Sequence, residues 1–181
     1  KEAPTQNYAR ELIELFTIGK GRQRGEGDYT HYTEQDVLAA ARVLTGWRDD
    51  FFPVEAVFDA DYHDDEDKTF SAAFGNAVIS NNGADEYLDL LDMIFAQRET
   101  ARFLCRNLYR WFVYYEIDAA IEESVIEPMA QLVLDHDYEV KPALEALLNS
   151  AHFYQEGLQG CMIKNPIDYN VGLFRTAGIR L

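Results

Sequence analysis

The positions Asp59 to Asp67 (DADYHDDED) gather carboxylates around one histidine, His63. Hard cations such as calcium take about six to eight oxygen ligands, which alternating aspartates in a loop can supply. Counting Asp59 as the first position puts Asp61 at the third and His63 at the fifth. Asp64 then stands where the turn requires glycine, and Phe70 where the bidentate glutamate belongs, so the EF-hand template fails. An irregular cation site made of Asp59, Asp61, His63 and Asp64 stays open beside the plainer reading, a solvated acidic loop. His63, Asp64 and Lys68 form a candidate catalytic set, with His63 as base or metal ligand and a carboxylate orienting it. No second His or Cys lies nearby in sequence, which favours a structural account. In that account His63 holds the loop by hydrogen bonds and Lys68 pairs with Asp64. A divalent cation is the one cofactor these residues suggest, and nothing indicates an organic one.

Basic residues form two further clusters. Arg98, Arg102, Arg106 and Arg110 recur every fourth position and make a basic stripe along one helix, suited to a carboxylate, sulfate or phosphate ligand. Asp85, Asp89 and Asp92 on the preceding helix offer a competing role for the stripe. A short turn at Gln97 would set the two helices antiparallel and make an interhelical ion-pair seam, the preferred reading. The loop from Gly19 to Gly27 (GKGRQRGEG) has glycines that let backbone N–H groups approach an anion, yet no Walker pattern opens a helix after it. It reads as a solvated connector. Arg10 is spaced for an intrahelical pair with Glu14, and Arg42 for covering Trp47 or meeting Glu11 or Glu14; with Glu34 these charges read as scaffold. No serine-nucleophile elbow, HExxH, zinc ribbon or dinucleotide fingerprint is present.

Helices must position these groups. Tyr8, Leu12, Leu15 and Phe16 predict an amphipathic helix over 8–18, stopped at Gly19. Thr33 with Asp36 predicts a capping box that opens a helix reaching about Trp47. Residues 50–80 lack helical period and predict an irregular loop or a small hairpin, with Val54–Phe58 and Thr69–Phe74 as its two short stretches. Helices follow after Asp85, from Glu99, from Ser124 or Glu127 with Pro128 in the first turn, from Val140, and from Asn165 with Pro166. The fold expected is all-α or mostly α, about six or seven packed helices with one insert near 50–80. Eleven Tyr and eleven Phe predict an aromatic-rich core, with Tyr8, Leu12, Phe16, Leu44 and Trp47 in it.

The chain has 181 residues, 32 acidic against 16 basic, for a net charge of −16. That field repels phosphate backbones and argues against nucleic-acid binding, while favouring cations or basic partners. No apolar run approaches the ~20 residues that span a bilayer. The two cysteines have no metal-ligand spacing, and Cys105 lies on a stripe with Ala101, Leu104, Leu108 and Phe112, as a buried thiol would. The chain is read as a single helical domain over 1–181. It opens at Lys1 without an initiator methionine, so it is further read as a segment of a longer protein.

Three strings close together, Asn7 to Gly19 (NYARELIELFTIG), Tyr32 to Val37 (YTEQDV) and Ala41 to Trp47 (ARVLTGW), resemble the large bacterial family catalogued as domain of unknown function 1800. His63-Asp64 with Lys68, Thr100 to Phe103, Leu108 to Phe112, Ser150 to Phe153 and Lys164 to Ile167 extend the resemblance along the chain. It implies the central to C-terminal part of a longer family member. It also implies periplasmic or secreted localisation and a phosphatase-like or sulfatase-like neighbour as partner. Relatives often carry His where this chain has Phe16, so a site depending on that His is absent here. The function expected is a non-catalytic helical interaction module of an exported bacterial protein. The alternative is a cation-dependent hydrolase-like enzyme using His63 and nearby carboxylates.

Overall fold

A computed structural model describes residues 5–179, and the chain divides into two compact units, Lys1–Leu104 and Cys105–Leu181. As expected, the fold is mostly helical, with short two-stranded ladders. No helix among the described residues is long and apolar enough to cross a membrane.

In the first unit, α1 (Gln6–Glu11) runs directly into a π-helical segment, Leu12–Thr17. This is where the expected helix face fails. Ala9, Ile13, Thr17 and Ile18 are buried, while Tyr8 is 65 % and Phe16 71 % exposed and Leu15 is exposed too. The segment is apolar on two sides, and the wider π turn sets the side with smaller residues inward. The Thr17 hydroxyl donates to the Leu12 carbonyl at 2.6 Å, inside the π segment. The glycine-rich connector also departs from expectation: it folds into a small hairpin of β1 (Gln23–Gly25) and β2 (Asp28–Tyr29).

Thr33 caps α2 (Glu34–Val43) through the expected capping box, its side chain accepting from Asp36 N while Asp36 accepts from Thr33 N. Asp36 is fully buried and also accepts from the backbone N–H and hydroxyl of Ser71, at 2.6 and 2.7 Å. One carboxylate thus ties the start of α2 to the far end of the insert. The helix stops at Val43, earlier than expected, because Gly46 adopts φ +89° and turns the chain into β3 (Trp47–Phe51). Trp47 is consequently a strand residue at the surface rather than core.

The expected hairpin is present: β3 pairs antiparallel with β4 (Val54–Phe58), Trp47 opposite Phe58. The second short stretch is only partly strand, with β5 (Lys68–Thr69) pairing β6 (Val78–Ile79) and a 3-10 turn over Ala72–Phe74. Next come α3 (Glu86–Phe95), which opens after Asp85 without a side-chain cap, and α4 (Arg98–Phe112). The core here is largely aliphatic, with Ile13, Val37, Leu90 and Ile94 around Tyr32, Phe70 and Phe74. Most of the remaining aromatics stay at or near the surface, so the aromatic-rich core expected from composition is only partly realised.

In the second unit, α5 (Ala119–Ile121) passes through a π segment into α6 (Glu127–Asp135), with Pro128 in its first turn as expected. α6 packs against α7 (Val140–Leu148), burying Met129, Ala130, Val133, Ala143 and Leu147. Asn165 caps α8 (Pro166–Thr176), accepting from Ile167 N and Asp168 N.

Candidate functional site

The acidic loop is organised by the residues just after α2. The Thr45 hydroxyl donates to the Arg42 carbonyl at 2.6 Å and accepts from Asp64 N at 2.8 Å. The Thr45 carbonyl receives His63 Nδ1 at 2.9 Å, and the Gly46 carbonyl receives Asp59 N at 2.8 Å. A Cβ on Gly46 would fall 2.8 Å from Phe58 Cε2 and 3.0 Å from His63 Cβ, so the loop seats against bare backbone. Thr45 and Gly46 therefore grip Asp59, His63 and Asp64 together.

Asp59, His63, Asp64 and Lys68 each have a partner outside their own cluster. The Arg42 guanidinium clasps Asp64 through Nε at 2.7 Å and Nη2 at 3.1 Å, and also donates to the Asp67 carbonyl. This pairing, which sequence reasoning did not foresee for Arg42, holds the Asp64 carboxyl down to about 2. Lys68 does not pair with the Asp64 carboxylate as expected. Its ammonium donates to the Asp64 backbone carbonyl and to both oxygens of Glu86, at 2.8 and 2.7 Å. Lys68 and Glu86 are fully buried and His63 is 3 % exposed. A carbonyl can only accept, so His63 Nδ1 donates to Thr45, while Nε2 lies 3.4 Å from Glu86 Oε1 without hydrogen-bond geometry.

Glu86 was missed by sequence reasoning, yet a signal existed. It stands four and eight residues before Leu90 and Ile94, a carboxylate on the buried stripe of α3. Such a charge needs a buried partner. Its place at the first turn of α3 adds the favourable end of the helix dipole.

Asp59 accepts from Arg48 at 3.0 Å and from Asp61 N at 3.1 Å, while Asp61 itself is exposed. Asp59, His63 and Asp64 are thus neighbours in sequence turned to separate partners, with Asp61 exposed beside them. Among the described residues no three His, Cys, Asp or Glu side chains converge as metal ligands.

The arginine stripe lies along α4. Arg106 clasps Glu122 through Nε and Nη2, and Arg102 meets Glu99 at 3.6 Å. Asp89 accepts from Asn82 Nδ2. None of these is a pairing that the expected aspartate seam requires, and Glu122 takes Arg106 because the π segment after α5 carries that carboxylate. Arg98 and Arg110 share the stripe as α4 residues.

Arg10 also differs from expectation, reaching Glu34 at 2.7 and 2.5 Å rather than Glu14. Glu14 instead accepts from the Tyr32 hydroxyl at 2.7 Å, which lowers its carboxyl, and meets Lys20 at 3.3 Å. That contact draws one charge of the glycine-rich connector into the scaffold.

A family model described as a protein of unknown function, DUF1800, matches residues 1–180. The chain belongs to the DUF1800 family. No curated protein and no solved structure gives a match. In this DUF1800 chain the strings that carried the resemblance have definite structural work. The string ending in Thr45-Gly46-Trp47 grips the loop that presents His63, Asp64 and Lys68, and the string from Tyr32 to Val37 supplies the capping box and the buried Asp36. The strings mark a scaffold around a buried ion pair.

Proposed function

We propose that this chain is a non-catalytic helical interaction module, working through protein partners. One observation supports it above the rest: the side chains with chemical potential face inward. A catalytic group must reach substrate, and His63, Lys68 and Glu86 are shut from solvent while Asp64 is clasped by Arg42. That burial weighs against the alternative of a cation-dependent hydrolase using His63. The surface points the other way, since Tyr8, Leu15 and Phe16 expose large apolar side chains on one short segment. Placement in an exported bacterial protein, with a phosphatase-like or sulfatase-like neighbour as partner, rests on the family resemblance alone.

Two measurements on the same sample test the reading. Light scattering after gel filtration of the chain mixed with that neighbour should show a complex, weakened by Leu15→Ser and Phe16→Ser. Thermal melts with calcium, magnesium or zinc should match melts with chelator. A melting temperature raised by one cation and no longer raised in His63→Ala or the exposed Asp61→Asn would replace the module reading with the hydrolase one.

A further inference from the structure

The first unit carries an open groove of about 910 Å³ between the start of α1, the end of α2 and the β3–β4 hairpin. Tyr8, Trp47, Tyr62 and Tyr87 line it together with Arg48 and Asp49. Trp47 meets Tyr87 edge-on, with ring centroids 5.8 Å apart and planes at 85°, an arrangement that fixes both rings. The groove has the size and aromatic lining of a binding site with a few polar groups at its margin.

Its electrostatics select the occupant. The stretch from Trp47 to Tyr62 carries Asp49, Asp50, Glu55, Asp59 and Asp61 against a single cation, Arg48, and of these charges Asp49 and Arg48 line the groove itself. The chain as a whole carries −16. The groove also displays on itself the contact that a basic ligand would make. The Arg48 guanidinium lies 4.4 Å from the centroid of the Tyr62 ring while its Nη1 pairs with Asp59 at 3.0 Å. Aromatic faces next to carboxylates are the usual receptor for guanidinium and ammonium groups, and phosphate-bearing ligands are repelled.

We infer that this groove docks a basic segment of a partner protein, whose Arg or Lys side chains stack on Tyr8, Trp47 and Tyr62 and pair with Asp49. The inference rests on the interaction-module reading and names the chemistry of the partner's segment.

The probe is a short fluorescent peptide of alternating Arg and Ser, with a Glu–Ser peptide of equal length as its counterpart. Both are titrated by polarisation at about 0.15 M salt, where loose surface attraction is screened beyond roughly 8 Å. The Arg peptide should bind and the Glu peptide should not. Tyr8→Leu and Tyr62→Leu keep the charge unchanged and should each weaken binding roughly two- to fivefold, the worth of one exposed cation–π contact. Asp49→Asn should weaken it as well, while Glu145→Gln, an equal charge change in the second unit, should not. Both tyrosines are at least half exposed, so these variants keep the fold.

Absence of binding, or binding that ignores both tyrosine variants and follows net charge alone, overturns the inference. Displacement of the Arg peptide by a neutral oligosaccharide would assign the groove to sugars and overturn it too. A complex with the phosphatase-like neighbour that survives both tyrosine variants overturns the groove while sparing the module reading. A peptide that binds the groove when that complex never forms has the opposite meaning.

Discussion

The ammonium of Lys68 lies 2.8 and 2.7 Å from the two carboxylate oxygens of Glu86, and neither side chain is open to solvent. Taking two charges out of water costs several kcal/mol each, and their attraction offsets this only where the remaining donors are also satisfied. Here they are: the ammonium has the Asp64 carbonyl as a third acceptor, and Asn82 N approaches Glu86 Oε1 at 3.4 Å. The pair joins the acidic loop to the first turn of α3. His63, between the Thr45 carbonyl and Glu86, completes the junction.

Asp64 should give the fold a measurable acid dependence. Its carboxyl is held at about 2 against an ordinary 3.8, chiefly by the Arg42 guanidinium. The folded state therefore releases this proton more readily than the unfolded chain. The resulting stability is complete above about pH 4 and disappears as pH falls through about 2, and it amounts to roughly 2 kcal/mol at neutral pH. Urea unfolding of wild type and Asp64→Asn should differ by about that much at pH 7. The difference should shrink by more than half near pH 2.5. A gap that stays constant would refute the assignment.

Gly46 should not tolerate a side chain. Its φ of +89° strains any L-residue, and a Cβ would press on Phe58, a ring already packed against Trp47 and His63. Gly46→Ala is expected to cost roughly 2 kcal/mol or more. Gly157→Ala, where nothing lies within reach of a new Cβ, is the matching control and should be nearly neutral. Equal melting temperatures for the two variants would contradict the role given to Gly46.

The two thiols should separate cleanly. Cys105 is buried, as its stripe suggested, and burial pushes its thiol up to about 12, whereas Cys161 is partly exposed and donates to the Leu158 carbonyl at 3.0 Å. Because the thiolate is the reacting form, Ellman's reagent should modify one thiol per native chain and two after unfolding. Cys161→Ser should remove the native signal. Two thiols reacting at similar rates in the native protein would show that Cys105 is not enclosed.

Local signals were legible in the sequence, and long-range ones were not. The capping box at Thr33 and Asp36, the Asn165 cap and Pro128 in a first turn depend on neighbours a few residues away, and all three stand as read. The face that α1 buries is a different matter. Residues 8–18 are apolar on two sides, and a π turn, which leaves no clear mark in composition, sets the choice. Ion-pair partners were the least legible. Arg10, Arg42 and Lys68 each bind a carboxylate 18 to 24 residues away in sequence, while nearer acids compete on paper. The buried partner itself was within reach, since Glu86 interrupts the apolar stripe of Leu90 and Ile94.

Lys68 and its neighbours form a structural junction, and a mutant comparison at Lys68 and Glu86 tests this most directly. Urea unfolding of Lys68→Met should show a loss of roughly 3–5 kcal/mol, because Glu86 is left as a buried, unpaired charge. Lys68→Met with Glu86→Leu removes both charges and should regain at least about 1 kcal/mol of that loss, or fold where the single variant does not. A single variant within about 1 kcal/mol of wild type, or a double variant less stable than the single one, would contradict the account.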